Sequence, residues 1–259
     1  LGYHLEGPFL APAKKGAHQL RWIEAASDDI VDLWVAQDCI RIVTLAAERA
    51  DNLGRIRRLA EAGITVSLGH TNATYEEFIA GIDAGATKAT HLFNTMPNIH
   101  HRDPGAMVAT LDDDRITAGI IPDGIHCHPA MVRLATRAKG FDRMLIVSDM
   151  MSAAGLQPGT YGLGGQEVTV DATSARLADG TLAGSIVTMD QAVRNVVEWS
   201  VASLPEALHM ATAVPARVIG ERDRGVIRSG ARADLTIWSN DLAIQETIVS
   251  GETRYRRPS

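Results

Sequence analysis

Through the first 150 residues, short apolar runs rich in β-branched residues alternate with helical patterns, and most runs end on a polar or ionisable side chain. The runs are 2–6, 40–45, 64–68, 88–92, 116–121 and 144–147, with helix candidates at 28–37, 52–62, 75–84 and 129–139. Gly63 and Gly85 follow two of these helices, where a left-handed residue costs glycine little. Such alternation requires a parallel sheet, either doubly wound or closed into a barrel. The polar residues choose between the two. Glu6, His70, His91, Asp123 with His126, and Asp149 each lie at or just beyond the C-terminal end of a run. A (β/α)8 barrel collects groups from several strand ends on that one face, whereas an open sheet gathers its site at one switch point. The expected fold class is therefore α/β, a TIM-type barrel whose last six strands are carried here.

Beyond residue 158 the pattern changes. Gly- and Thr-rich alternation at 161–163, 167–171 and 175–177 reads as short antiparallel strands, and helices return at 188–202 and 205–212. The tail reads as strands at 225–227, 233–238 and 247–249, with 254–257 as a frayed basic end. The expected organisation is a barrel core over 1–158 (strands 3 to 8), a β insertion over 159–184, and remaining barrel helices over 185–222. Residues 223–259 complete a small β-sandwich domain. The chain opens Leu1-Gly2-Tyr3 and has its first methionine at Met96, so the expectation is a chain without the front of its barrel.

Composition removes whole classes of function. A formal charge of -6, from 25 Lys+Arg against 31 Asp+Glu, argues against a general nucleic-acid binder. No apolar run approaches the roughly 20 residues that span a bilayer. Two cysteines, Cys39 and Cys127, make no disulfide framework and fit a reduced, cytoplasmic setting.

The strand-end residues carry the chemistry. His70 and His91 close two successive strands and Glu6 closes an earlier one. Two imidazoles and a carboxylate form a hydrolytic site for one divalent ion, zinc first, with iron, cobalt or manganese as alternatives. Such an ion lowers the pKa of its water to about 7 and polarises a carbonyl. Asp149 ends a strand otherwise too apolar to close on a carboxylate, which suits a proton-transferring acid/base, although an N-cap is the structural alternative. His126 suits either a substrate contact or a second metal site. His128 reads as a cap for the helix opened by Pro129. The polar stretch from Asn94 and Thr95 to Arg102 suits hydroxyl or amide recognition, with Arg102 facing a phosphate or carboxylate. Met150 and Met151 read as packing, and Gly162, Gly164 and Gly165 make no nucleotide loop because no helix follows them.

Four segments make the reading more specific: GYHLEGPF from Gly2, SLGHTNA from Ser67, ATHLFNTM from Ala89 and LAGS from Leu182. In this order they resemble the N-acetylglucosamine-6-phosphate deacetylases of the amidohydrolase superfamily, over nearly the whole chain. The resemblance implies hydrolysis of N-acetylglucosamine 6-phosphate to glucosamine 6-phosphate and acetate in amino-sugar catabolism. The competing readings are N-acetylgalactosamine 6-phosphate as substrate, another amidohydrolase acting on a cyclic amide, or a catalytically silent binding protein on a truncated barrel. It implies Glu6, His70 and His91 as metal ligands, Asp149 as the acid/base and His126 at the reacting amide. Ala17, His18, Asn94, Thr95, the loop of Asp123, Gly124, Ile125 and His126, and the turn of Leu182, Ala183 and Gly184 would line the sugar site. Arg102 would reach the phosphate in a neighbouring subunit of a homodimer. Two barrel strands and a His-x-His pair are expected upstream of Leu1.

Overall fold

A computed structural model describes residues 1–258. Its centre is a six-stranded sheet, parallel throughout and in chain order: β1 (Tyr3–Glu6), β2 (Ile40–Leu45), β3 (Thr65–Leu68), β4 (Lys88–Ala89), β5 (Thr117–Ile120) and β6 (Met144–Ile146). Among the described residues β1 and β6 are each paired on one side only. The register sets Glu6 beside Thr44 and Leu68 beside Ala89, so the strand ends rise together at one edge.

The two faces of the sheet differ in chemistry because side chains alternate along each strand. Val43, Leu45, Val66 and Leu68 belong to the apolar cluster that includes Ile56, Leu59 and Phe78 of the covering helices. Thr44, Ser67, Lys88 and Thr90 occupy the other face in a chain of hydrogen bonds. Thr44 Oγ1 lies 2.7 Å from Thr90 Oγ1, which lies 2.5 Å from Ser67 Oγ, and Lys88 Nζ donates to Ser67 Oγ at 3.3 Å. Burial pulls the Lys88 ammonium down to about 8, against the pull of the Glu6 and Asp149 charges.

Among the described residues nine α-helices return the chain between and after the strands: α1 (Leu20–Glu24), α2 (Asp29–Val35), α3 (Asn52–Glu61), α4 (Tyr75–Asp83), α5 (Gly105–Asp112), α6 (Pro129–Lys139), α7 (Met189–Glu198), α8 (Leu204–Ala211) and α9 (Ala213–Val218). Their ends follow local chemistry. Thr74 and Glu77 form a capping box on α4, as Ser203 and Glu206 do on α8. The His128 ring accepts from the Ala130 amide and caps α6, as its position before Pro129 predicts. Helix α5 has no counterpart in the sequence pattern, since its residues Gly105, Ala106, Met107, Ala109 and Thr110 are buried and leave no polar stripe to read.

Two further sheets lie outside the parallel one. In the first, β7 (Gly159–Leu163) and β8 (Gln166–Val170) form a hairpin, and β9 (Ala175–Arg176) pairs with β8. Gly164 and Gly165 link the hairpin with φ of 57° and 80°, the two left-handed residues of a type I′ turn. This sheet packs its own cluster of Met151, Ala153, Val168, Val170, Ala175 and Ala183. The second sheet is β10 (Leu235–Trp238), β11 (Ile244–Val249) and β12 (Glu252–Arg256), antiparallel throughout.

The insertion and the tail form two separate three-stranded sheets. Two expectations are corrected. Residues 225–227 are irregular, with Ile227 92% exposed and no partner strand among the described residues. Residues expected to fray instead form most of β12, held by the Arg256–Glu246 ion pair at 2.9 Å.

Candidate active site

Three strand ends bring Glu6, His70 and His91 together. Glu6 Oε1 lies 2.9 Å from the Nε2 of each histidine, and the two Nε2 atoms are 3.1 Å apart. His70 Nδ1 donates to the Lys14 carbonyl at 2.8 Å, which leaves the Nε2 lone pair facing the cluster. His91 has no such anchor, and its buried Nδ1 meets no partner. A carboxylate oxygen and two imidazole nitrogens this close have ligand atoms converging on one point, the donor set that zinc and similar divalent ions take. Burial opposes ionisation of Glu6, but the two imidazoles overcome it and hold the carboxyl well below its usual range. Burial likewise works against a charged His91, and the Glu6 carboxylate reverses the balance to raise its pKa.

The backbone at these ends is bent out of the strand conformation. His70, His91 and Asp149 have φ of 47°, 25° and 48°, and Phe93 and Thr95 in the following loop have 80° and 54°. Left-handed backbone is unfavourable for residues with a Cβ, and clusters of it accompany functional sites. Gly16 shows how tightly the loop after β1 lies against this edge: a Cβ there would sit 3.0 Å from His70 Cε1.

Asp149 lies beyond β6 and faces the same space. Its carbonyl accepts from the Ser185 amide at 2.7 Å, and the Met151 amide donates to Ser185 at 2.9 Å. Gly184 permits this approach, because a Cβ there would lie 2.9 Å from the Asp149 oxygen. Turns, not a helix, follow Asp149, so the N-cap alternative has nothing to cap. Asp149 opens to the cavity on one side and is ringed by protein on the others. That burial, and then the Glu6 charge, raises its pKa.

These groups share a cavity of about 680 Å³. Of the residues expected from the sequence, Ala17, His18, Asn94, Thr95, His126, Leu182 and Gly184 line it with the cluster. Asp123 stands behind His126, accepting from its Nδ1 at 2.6 Å and from its amide at 2.7 Å. His126 Nε2 is thereby left as the ring's free position. Gly124 and Ile125 are exposed in the same loop and Ala183 is buried in the small cluster, so none of the three lines the cavity. Arg102 is exposed outside the cavity, with Nη1 2.7 Å from His101 Nε2. Met151 packs in the small cluster as expected and also lines the cavity, as does Met150, which is 51% exposed.

The sequence reading missed one wall. Gln19, Trp22, Gln166, Arg176 and Thr181 line the cavity without standing at any strand end of the parallel sheet. The β7–β8 hairpin is latched over the site, with Gln166 Nε2 donating to the Ala17 carbonyl at 2.7 Å and Gln19 Nε2 to the Gly164 carbonyl.

Comparison with known families places this arrangement. The Amidohydrolase family model matches residues 1–254. The chain belongs to the amidohydrolase family. It is 38% identical to an N-acetylglucosamine-6-phosphate deacetylase of Lysinibacillus sphaericus over 256 residues, covering 98% of this chain and 66% of that protein. It is 39% identical to an N-acetylgalactosamine-6-phosphate deacetylase of Escherichia coli O157:H7, covering 97% and 67%. A crystal structure of N-acetylglucosamine-6-phosphate deacetylase from Pasteurella multocida superposes with a TM-score of 0.94 at 39% identity, covering 98% of this chain and 67% of that one. The chain thus has the amidohydrolase fold and spans about two thirds of the length of the curated relatives it matches.

Proposed function

We propose that this chain carries the catalytic centre of a metal-dependent deacetylase that hydrolyses N-acetylglucosamine 6-phosphate to glucosamine 6-phosphate and acetate, in amino-sugar catabolism. The observation that carries the reading is the Glu6–His70–His91 cluster opening, with Asp149, on one cavity in a chain similar to such deacetylases. Glu6, His70 and His91 would hold one divalent ion, zinc first, which supplies Lewis acidity and a reactive water at neutral pH. Asp149 takes the proton of the attacking water and returns it to the departing amine. Burial and the Glu6 charge raise its pKa, which makes the carboxylate a stronger base toward the attacking water in the first half of that exchange. His126, braced by Asp123 at Nδ1, contacts the acetamide oxygen through its free Nε2 position.

Ala17, His18, Asn94, Thr95, Leu182 and Gly184 line the sugar site, and Asp123, Gly124, Ile125 and Ala183 belong to the loop and turn that carry His126, Leu182 and Gly184. Arg102 reaches the phosphate of a neighbouring site in a homodimer. No helix among the described residues is long and apolar enough to cross a membrane. The free thiols of Cys39 and Cys127 accord with the cytoplasm.

A second reading, N-acetylgalactosamine 6-phosphate as substrate, is supported by the Escherichia coli relative. Acetate release from each sugar phosphate, followed beside elemental analysis of the purified protein, tests both. His91→Gln is expected to lose most bound metal and most activity together. Full metal occupancy in that variant defeats the ligand assignment, and no acetate from either sugar defeats the function.

A further inference from the structure

A ligand bearing a phosphate monoester brings close to two negative charges into a cavity that already presents Glu6 and Asp149. Among the lining residues there is a single Arg or Lys, Arg176, at the end of β9 and on the wall the sequence reading missed. Its guanidinium is held in place by neutral acceptors: Nε donates to Ser174 Oγ at 3.2 Å and Nη1 to the Gly180 carbonyl at 2.9 Å. Nη2 donates to no protein acceptor, and no carboxylate pairs with the side chain among the described residues. The positive charge is thus oriented and uncompensated. Thr181 lines the same wall one residue past the carbonyl that holds Nη1. Arg102, by contrast, stands outside the cavity against His101.

We propose that Arg176 is a specificity-determining residue that contacts the ligand's phosphate from within the chain that binds it, through its free Nη2 edge. The ammonium of a lysine could supply the charge, but two bonds to fixed acceptors leave only a planar guanidinium with donors still directed outward. The choice of ligand rests on the deacetylase reading, whereas the anion contact follows from the charge and its geometry.

The test is calorimetric titration of glucosamine 6-phosphate and of glucosamine into the wild-type protein, Arg176→Gln and Arg176→Lys. Because both ligands share the sugar and its amine, the ratio of their affinities isolates the phosphate. Arg176→Gln is expected to weaken glucosamine 6-phosphate about 10- to 100-fold and glucosamine less than about twofold, with Arg176→Lys in between. An unchanged ratio in Arg176→Gln overturns the proposal. So does an equal loss for both ligands, the mark of a residue that only braces β9 and the turn at Gly180. A wild-type protein with no preference for the phosphorylated sugar overturns it as well. Acetate release is scored separately: a wild-type protein that binds glucosamine 6-phosphate through Arg176 yet releases no acetate refutes the deacetylase reading and upholds the phosphate contact.

Discussion

Asp149 and Asp123 both serve the cavity, and their environments push them in opposite directions. Asp149 is raised by burial and by the Glu6 charge. Asp149→Asn keeps the size of the side chain but cannot take up a proton, so turnover is expected to fall by several orders of magnitude while bound metal stays at the wild-type level. More than about a tenth of the original kcat in that variant removes Asp149 from the proton path. Asp123 is the opposite case: burial resists its ionisation, yet bonds from His126 and the Ile125 and His126 amides hold its pKa below the usual value. A depressed carboxyl adds stability that is complete above the unfolded pKa of about 4 and disappears as pH falls through the lower folded value. Asp123→Asn is therefore expected to cost about 1–3 kcal/mol at pH 7 and progressively less in acid, measured by denaturant melts across pH. The metal-type cluster was legible residue by residue, because an ionisable side chain closing an apolar strand stands out against its neighbours. Arg176 and Gln166 were not, because on a short two-faced hairpin a polar residue looks the same whether it meets solvent or a ligand.

At the scale of elements, helix ends carry the clearest signals. The box of Thr74 and Glu77 satisfies two amides at the start of α4, and Phe78, one residue further, is buried in the main core. Thr74→Ala is expected to lower stability by about 1 kcal/mol, read as a shift in the denaturation midpoint with an unchanged slope. The six parallel strands could be read from short, mostly apolar runs that alternate with helical patterns, the layout of a parallel sheet. Their lengths were overestimated where the chain turns into the site: β4 ends at Ala89, two residues before the ligand-type histidine. Helix α5 escaped notice for the reverse reason, since burial on most sides erases the amphipathic period. At 225–227 the apolar pair Val226-Ile227 suits a strand, but a strand exists only with a partner, and none lies alongside among the described residues.

For the whole molecule, the informative feature is a parallel sheet whose first strand has one bare side. The Tyr3 and Gly7 amides donate toward β2, so those of His4 and Glu6 point away from it. Hydrogen exchange is expected to be far faster at His4 and Glu6 than at Val66 and Leu68 in central β3. A row of unpaired backbone groups also recruits other chains. The 259-residue chain alone is therefore expected to associate, seen as light scattering that rises with concentration. A monomer with one cooperative melt would mean that this edge is covered. The left-handed backbone at His70, His91 and Asp149 has a different consequence. Each such position costs about 1–3 kcal/mol, an amount that glycine would largely avoid. A population of variants sorted only for folding would drift toward glycine at all three positions and become sturdier as it lost its chemistry. Sorting for turnover would restore the strained residues, so the two screens should pull apart at these three codons first.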